Sequence, residues 1–207
     1  MIYALKKRPN TKAHSSGHSK SLILREIHSG NAILARLVED DYKMAQANPA
    51  TLNNAENLLK HLLNDELVNY PMLQQTVAKL EMSSKEDSAA KLLQDAAKKA
   101  YESLRSHEAY ELEMLLVEVY IYQGDKSQLE KTLKIECLQD DWIRDARRPL
   151  YKSIIYNMLG DTEKAKKYWE EFLTERDPIH ISVSHPETNF QLFKQHVNRL
   201  QTAKSKR

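Results

Sequence analysis

Histidine pairs are the residues of this sequence whose type and spacing come nearest to a metal site. His14 and His18 are one helical turn apart, and His180 and His185 flank a stretch that we expect to be extended. Zinc takes four nitrogen, sulfur or oxygen ligands in a tetrahedron. Neither pair has a cysteine or carboxylate at a spacing that would complete such a set, so the sequence predicts no metal site.

The lone cysteine and the runs of acidic residues could in principle take part in catalysis. Cys137 follows apolar residues and has no histidine at a catalytic spacing, which indicates a buried structural thiol. The acids of 39–41 and 140–141 are typical of helix ends, and those of the second run are expected to cap a helix that begins at Trp142. The sequence has no phosphate-binding glycine loop, paired-cysteine motif or nucleophile elbow. We therefore expect a protein that is not an enzyme and that binds no cofactor.

Charge is distributed unevenly along the 207 residues of the chain. The formal net charge is +2, yet six basic residues and no acidic ones precede Glu26, which leaves the remainder acidic. An acidic body argues against nucleic acid as the partner. The acid-free start is also rich in serine, as organelle targeting peptides are, so a plastid or mitochondrial location is the alternative to a cytoplasmic one. No apolar run approaches the roughly 18 residues of a membrane span.

The composition predicts an all-α fold. Only four glycines and six prolines occur, and leucine, alanine, glutamate and lysine, which favour helix, are abundant. Apolar residues at helical spacing, bounded by glycine, proline and capping residues, predict the individual helices. The predicted helices are residues 21–28, 32–46, 51–64, 71–82, 89–100, 107–122, 127–137, 142–158, 162–174 and 187–201.

Three helix-break-helix units follow one another between residues 70 and 178. Their breaks are centred on Ser84, Gly124 and Gly160, at separations of 40 and 36 residues. Two helices per unit at this period predict a helical solenoid, in which each hairpin covers the apolar face of the next. The chain accordingly divides into a basic flexible segment (1–20), N-terminal helices that pack on the array (21–69), three hairpins (70–178), and a linker with a C-terminal capping helix and a basic tail (179–207).

The three hairpins resemble tetratricopeptide repeats. The residues of the last hairpin that match that family's motif are, in order, Tyr156, Gly160, Asp161, Ala165, Trp169, Phe172 or Leu173, and Pro178. Pro178 stands one place late, and Leu129 of the preceding hairpin occupies a position where the family has a small residue. Small residues let paired helices approach, and glycine admits a left-handed turn. The resemblance covers Tyr70 to Pro178 and implies a right-handed superhelical array of antiparallel helix hairpins, with extra helices at both ends.

A tetratricopeptide-like array would bind its partner in the groove lined by the first helix of each hairpin. The groove-facing positions of the family correspond here to Met114, Glu118, Tyr122, Arg147, Tyr151 and Asn157. Leu115 and Ile154 occupy such positions too, but the core explains them equally well. The basic run Arg147, Arg148 and Lys152 could bind a carboxylate or phosphate, although a solvated helix start is the favoured interpretation.

The resemblance implies a non-catalytic interaction protein, an adaptor or assembly factor that buries a peptide or helix of a protein partner. Glu118 and Ile154 stand where repeats that clamp chaperone tails have asparagine or a basic residue, so we do not expect that ligand. The related pentatricopeptide repeats, which read single-stranded RNA, supply the alternative function. Three units and an acidic body count against it, and the sequence leaves the oligomeric state open.

Overall fold

All regular secondary structure that the structure describes is helical. The computed structural model describes residues 25–38, 54–65, 68–140, 142–176 and 186–204, beginning with a helical turn over 25–28. The helices that follow are α1 Asn31–Val38, α2 Ala55–Leu62, α3 Tyr70–Met82, α4 Glu86–Glu102, α5 Ser106–Gln123, α6 Lys126–Thr132, α7 Glu136–Gln139, α8 Arg147–Leu159, α9 Thr162–Arg176 and α10 Pro186–Lys204. The predicted all-α class is confirmed. Among the described helices, none has both the length and the apolarity needed to cross a membrane.

Several sequence predictions lie outside these ranges. They are the basic segment 1–20, the helix starts at Ser21 and Thr51, the extension of the second predicted helix beyond Val38, the linker 179–185, and the basic tail after Lys204. Both histidine pairs and the acids of 39–41 lie outside them as well.

The turns between successive helices share one backbone geometry. A left-handed residue occurs at Ser84, Leu104 and Gly160, with φ of 57°, 56° and 89°. The next N–H then bonds to the carbonyl five residues earlier: Lys85 to Leu80, Arg105 to Ala100, and Asp161 to Tyr156. This bond satisfies a carbonyl that the helix end would leave without a partner. Gly124 also has φ of 71°, so the predicted breaks at Ser84, Gly124 and Gly160 are all confirmed.

The predicted helix 127–137 is interrupted. Its first part is α6, which ends at Thr132, and α7 begins at Glu136 after an extended Ile135 with ψ of 140°. The Cys137 N–H donates to Glu113 Oε2 of α5 at 3.2 Å. That tertiary bond satisfies an N–H of the first turn of α7, so the chain turns there and does not continue α6.

The predicted helix start at Trp142 is wrong. Residues 142–146 are not helical, Trp142 is 97% exposed, and α8 begins at Arg147. The Asp145 carboxylate accepts the Arg147 N–H at 2.9 Å, and the Ala146 N–H donates to the His28 carbonyl at 3.0 Å. The N-cap residue is thus Ala146, and the Asp145 side chain before it binds the first helical N–H, whereas the sequence analysis assigned the capping of this helix to 140–141.

Helices α3, α5 and α8 form one packed row. In this row α5 lies between α3 and α8 and contacts both, while the most extensive helix–helix contacts pair α4 with α5 and α8 with α9. The pairing of 70–82 with 86–102, predicted as the first hairpin, is slight, because α3 packs mainly on α2. At the other end α10 contacts α1, α8 and α9. The N- and C-terminal helices thus meet over the last hairpin.

Helix α5 is the centre of the molecule. One apolar cluster joins it to α2, α3 and α4, and a second joins its other side to α1 and the helices from α6 to α10. Every residue from Ala109 to Ile121 except Glu113 is buried. A helix surrounded in this way has no solvent face, so its polar side chains must find partners inside the protein.

Substitution of Gly30, with Gly160 as the control, tests how tightly the segment before α1 packs. Gly30 and Gly160 both have positive φ, but a Cβ at Gly30 would lie 3.1 Å from Phe172 and 3.3 Å from Leu150, whereas a Cβ at Gly160 meets nothing within 4 Å. We expect Gly160→Ala to cost about 1 kcal/mol from backbone strain alone. Gly30→Ala should cost about 3 kcal/mol, because overpacking adds to the same strain. Urea unfolding of both variants measures the difference, and equal losses would contradict the close packing of Gly30.

Candidate functional site

The candidate site is a face made by α5 and α8, with a contribution from α3. Glu111 and Glu118 are two turns apart on α5, and their side chains are 2% and 1% exposed. Arg147 and Tyr151 are one turn apart on α8, and each residue is 1% exposed. Charged groups buried this deeply persist only where partners replace the lost water. We call this surface, together with Glu81 of α3 and with Asp145, the charged face.

The first cluster on the charged face is centred on Arg147. Its Nη2 atom lies 2.6 Å from Asp145 Oδ2 and 3.0 Å from Glu111 Oε2. Its Nε atom donates to Asp145 Oδ1 at 3.0 Å. The planar guanidinium therefore bridges two carboxylates from different parts of the chain and locks the start of α8 onto α5.

Two further side chains complete the first cluster. His28 Nε2 lies 2.6 Å from Glu111 Oε1 and 3.7 Å from Asp145 Oδ2, and the His28 side chain is 18% exposed. The Tyr110 hydroxyl donates to Asp145 Oδ2 at 3.1 Å. His28 comes from the segment before α1, so the first cluster joins the N-terminal segment to α5 and to the start of α8.

The second cluster lies one to two turns further along α5. Arg36 of α1 forms an ion pair with Glu118 and lies 3.7 Å from Glu81 Oε2. The Tyr151 hydroxyl donates to Glu118 Oε2 at 3.0 Å. The Arg36 guanidinium carbon also lies 5.7 Å from the ring centre of Tyr122, within the range of a cation–π contact. His28 thus attaches the segment before α1 to α5, and Arg36 attaches α1 itself.

The electrostatics keep both clusters charged or hydrogen-bonded as described. Burial raises the pKa of Glu111, but the His28 hydrogen bond and the Arg147 charge outweigh it, so the pKa lies below its ordinary value. Burial likewise opposes the charge on Arg147, and the carboxylates of Asp145 and Glu111 still raise its pKa. Burial, and for Tyr110 also the adjacent Asp145, raise the pKa of Tyr110 and Tyr151, so both remain hydrogen-bond donors.

The donor set of the first cluster also has the composition of a metal site. Ligand atoms of His28, Glu111 and Asp145 lie within 4.8 Å of one another. However, both carboxylates already bind the Arg147 guanidinium, and His28 already bonds to Glu111. A cation placed among these atoms would be repelled by Arg147 and would have to displace it. These residues fit an ion-pair cluster that holds chain segments together better than they fit a metal centre.

The six residues predicted to bind a partner lie on or beside the charged face. Met114, Glu118, Arg147 and Tyr151 are at most 1% exposed, Tyr122 is half-buried, and Asn157 is 9% exposed. The structure brings Glu118 and Tyr151 into direct contact and links Tyr122 to Glu118 through Arg36. Asn157 Nδ2 donates to Asn198 Oδ1 of α10 at 3.3 Å. The first four side chains are covered by the chain itself, and their role toward a partner stays a prediction.

The sequence analysis favoured a solvated basic run at the start of α8. For Arg147 and Arg148 this interpretation is wrong, because both side chains are buried. Arg147 is 1% exposed and Arg148 is 5% exposed. Arg147 binds Asp145 and Glu111, and Arg148 donates to the Asp140 carbonyl. Asp145 thus holds the Arg147 side chain inside the protein, and Arg148 Nη2 lies 3.9 Å from Glu175 Oε1 of α9. Cys137, in contrast, is buried as predicted, at 1% exposure.

Sequence reasoning missed several residues of the charged face. These are His28, Arg36, Glu81, Tyr110, Glu111 and Asp145. One signal was present, because α5 reads as apolar on every side and its glutamates at 111 and 118 share a face two turns apart. Buried acids on such a helix require cations, but the pattern does not indicate which of the many lysines and arginines supply them.

Comparison of the sequence with protein-family models, with curated proteins and with solved structures found no match. The likeness of the hairpins to tetratricopeptide repeats therefore stays a prediction made from their residues. A functional conclusion must depend on the geometry of the charged face.

Arg147 is expected to be the most costly single charge to remove. Arg147→Met keeps most of the volume but leaves Glu111 and Asp145 buried without their shared cation, so we expect a loss of about 3 to 5 kcal/mol in the free energy of unfolding. Arg144→Met, three residues earlier at an exposed position, should cost no more than about 0.5 kcal/mol. Urea unfolding at neutral pH measures both. Similar losses in the two variants would show that the guanidinium bridge does not stabilise the fold.

The lowered pKa of Glu111 predicts a pH dependence of stability. The unfolded chain takes up this proton near the ordinary pKa of 4.5, and the folded chain takes it up only at lower pH. The stabilisation is therefore present above that value and is lost as pH falls through the folded pKa. Between about pH 6 and about pH 4, Glu111→Gln should lose less unfolding free energy than the unaltered protein.

Glu113 provides the opposite control for this experiment. Burial raises its pKa, so its contribution is present at low pH and is lost as pH rises through the folded pKa. Glu113→Gln should therefore make the loss of stability on acidification larger, while Glu111→Gln makes it smaller. The same direction of change in both variants would contradict the assignment of the Glu111 shift.

Proposed function

We propose that this protein is a non-catalytic adaptor or assembly factor, built as a tetratricopeptide-like right-handed array, which binds a helix or peptide of a protein partner on the charged face. One observation carries the proposal: a helix already lies there. Helix α1 is attached to this face by Arg36, and the residues just before it are attached by His28. A surface that binds one helix through side-chain anchors has the properties needed to bind another.

The layering of the helices supports this function. Helices α3, α5 and α8 are neighbours in one row, although they come from three successive hairpins of the predicted array. In a helical solenoid, such a row of first helices lines the binding surface. The predicted groove residues Met114, Glu118, Tyr122, Arg147 and Tyr151 lie on α5 and α8 of this row. The polar groups there bond to each other, which suits attachment of segments rather than turnover of a substrate.

A different surface favours the alternative, binding of single-stranded RNA. The rings of Tyr156 and Tyr168 stack at 5.4 Å with an interplanar angle of 2°. Lys164 Nζ lies 5.1 Å from the Tyr156 ring centre, and Lys152 and Lys167 Nζ each lie 5.3 Å from that of Tyr168. Aromatic rings among cations can stack bases and hold phosphates. Here the tyrosines stack on each other, so we rank this function second.

Two matched tyrosine variants test the proposed function. Tyr122 lies beside Glu118 under Arg36, whereas Tyr101 is a 39% exposed tyrosine near the end of α4. Proteins captured from an extract by the full chain are identified, purified and titrated against Tyr122→Ala and Tyr101→Ala. We expect Tyr122→Ala to weaken binding about tenfold or more, because aromatic anchors carry much of the energy of an interface, and Tyr101→Ala to have little effect.

Two results would contradict the proposed function. Equal binding by both tyrosine variants would place the partner elsewhere on the molecule. Capture of RNA alone, lost in Tyr168→Ala but retained in Tyr122→Ala, would favour the second function and the tyrosine–lysine surface.

A further inference from the structure

The charged face carries an excess of negative charge that is neutralised from outside the helical row. Its acids Glu81, Glu111, Glu118 and Asp145 are each at most 3% exposed, and Arg147 is the cation that α8 supplies to them. Arg36 and His28 contribute the remaining positive or hydrogen-bonding groups. Both come from residues 25–38, and His28 is separated from Glu111 by 83 positions in sequence. The row of helices is thus complementary to a cationic segment.

Residues 25–38, which we call the N-terminal ligand segment, attach along one side. Arg36 forms an ion pair, the His28 ring forms a hydrogen bond with Glu111, and the His28 carbonyl accepts the Ala146 N–H. Ile33 is buried, Leu34 and Leu37 pack partly buried against the same apolar cluster, and Gly30 fits against Phe172 and Leu150. Arg25, Glu26, Ala32 and Ala35 are exposed. The segment thus has one attached side and one exposed side.

The helix of the N-terminal ligand segment is held by two other parts of the molecule. Arg36 attaches α1 to the charged face by an ion pair with Glu118. Among the described helices, α10 is the one with which α1 makes its most extensive contacts. In sequence, residues 39–53 separate this segment from α2. A segment that attaches to a surface of its own chain through side-chain anchors acts as an intramolecular ligand of that surface.

We propose that residues 25–38 are a displaceable internal ligand of the charged face, and that they compete there with an external cationic helix. Like residues 25–38, the external segment would place an arginine of its helix against Glu81 and Glu118, and a histidine or basic residue eight positions earlier, before that helix, against Glu111 and Asp145. The proposal depends on the proposed function for its external partner. Access to the face is then regulated by the chain's own N-terminal segment.

The test uses full-length protein and a fluorescent peptide of residues 25–38. In the unaltered protein the segment belongs to the same chain as the face, so its competition with the peptide is intramolecular. Arg36→Ala weakens the tethered copy, so the variant should bind the peptide about tenfold or more tightly than the unaltered protein, measured by fluorescence anisotropy. Arg25→Ala removes an exposed arginine of the same segment and is the matched control, expected to bind like the unaltered protein.

The peptide carries its own matched pair. A peptide with Arg36→Ala should lose about tenfold or more of its affinity for the Arg36→Ala protein, because neither molecule then supplies the arginine that pairs with Glu81 and Glu118. A peptide with Arg25→Ala should bind unchanged. Equal affinity of both proteins for the peptide, or equal affinity of both altered peptides, would overturn the proposal. Dimerisation of the Arg36→Ala protein without peptide binding would also overturn it, since a second copy would then occupy the face.

Hydrogen exchange keeps the test decisive if the Arg36→Ala protein does not fold. In the unaltered protein, a displaceable segment requires that the amides of α1 exchange at least about tenfold faster than those of α5, because opening of the segment would leave the core intact. Equal protection of α1 and α5 would show that the segment unfolds only with the whole protein, and would overturn the proposal. Faster exchange in α1 supports it.

The failure of this inference is distinguishable from failure of the proposed function. A captured partner that depends on Tyr122, together with no effect of Arg36→Ala on peptide binding, would keep the adaptor function and reject the internal ligand. Peptide binding that depends on Arg36, without any partner that depends on Tyr122, would reject the adaptor function while the internal ligand remains.

Discussion

Two glutamates on a helix without a solvent face are the constraint on which the rest of this structure depends. Helix α5 has apolar clusters on both sides, yet it carries Glu111 and Glu118. A carboxylate deprived of water is costly unless a cation or several hydrogen bonds replace it. Helix α5 therefore fits this position only if other segments bring charge to it, and those segments are then fixed in place.

The segments that bring these charges lie on either side of α5 in the sequence. Arg147 at the start of α8 bridges Glu111 to Asp145, and Arg36 of α1 binds Glu118. The start of α8 is bound from two sides: the Asp145 carboxylate accepts the Arg147 N–H, and the His28 carbonyl accepts the Ala146 N–H. One local bond and one tertiary bond therefore fix this helix end together.

The charged face contains two kinds of ion pair. Its carboxylates pair with Arg147 of the helical row and with Arg36 and His28 of a short segment outside it. The first kind of pair holds hairpins together, and the second kind attaches a helix to their shared surface. Buried ion pairs contribute little net stability but impose strict geometry, so they specify what binds more than how tightly the fold is held.

The sequence predicts the helices well where local signals decide them. Helix α3 and its proline-bearing first turn, helix α4, and the breaks at Ser84, Gly124 and Gly160 agree with the structure. It fails where residues that the pattern did not single out bind a helix start: Glu113 of α5 binds the first turn of α7, and Asp145 binds the first N–H of α8. The predicted groove positions on α5 and α8 share one surface. The sequence predicted that helices of 21–69 pack on the array, but not that residues 25–38 lie on this surface.

The sequence by itself determined the helical class, the position of most turns, and the buried Cys137, because propensity, apolar spacing and left-handed turn residues act over a few neighbours. Only the tertiary structure decided which helices pair, and which cations meet Glu111 and Glu118. Those choices are made between residues as far apart as His28 and Glu111. They depend on three-dimensional burial, and no local pattern encodes which of many similar charges will be enclosed together.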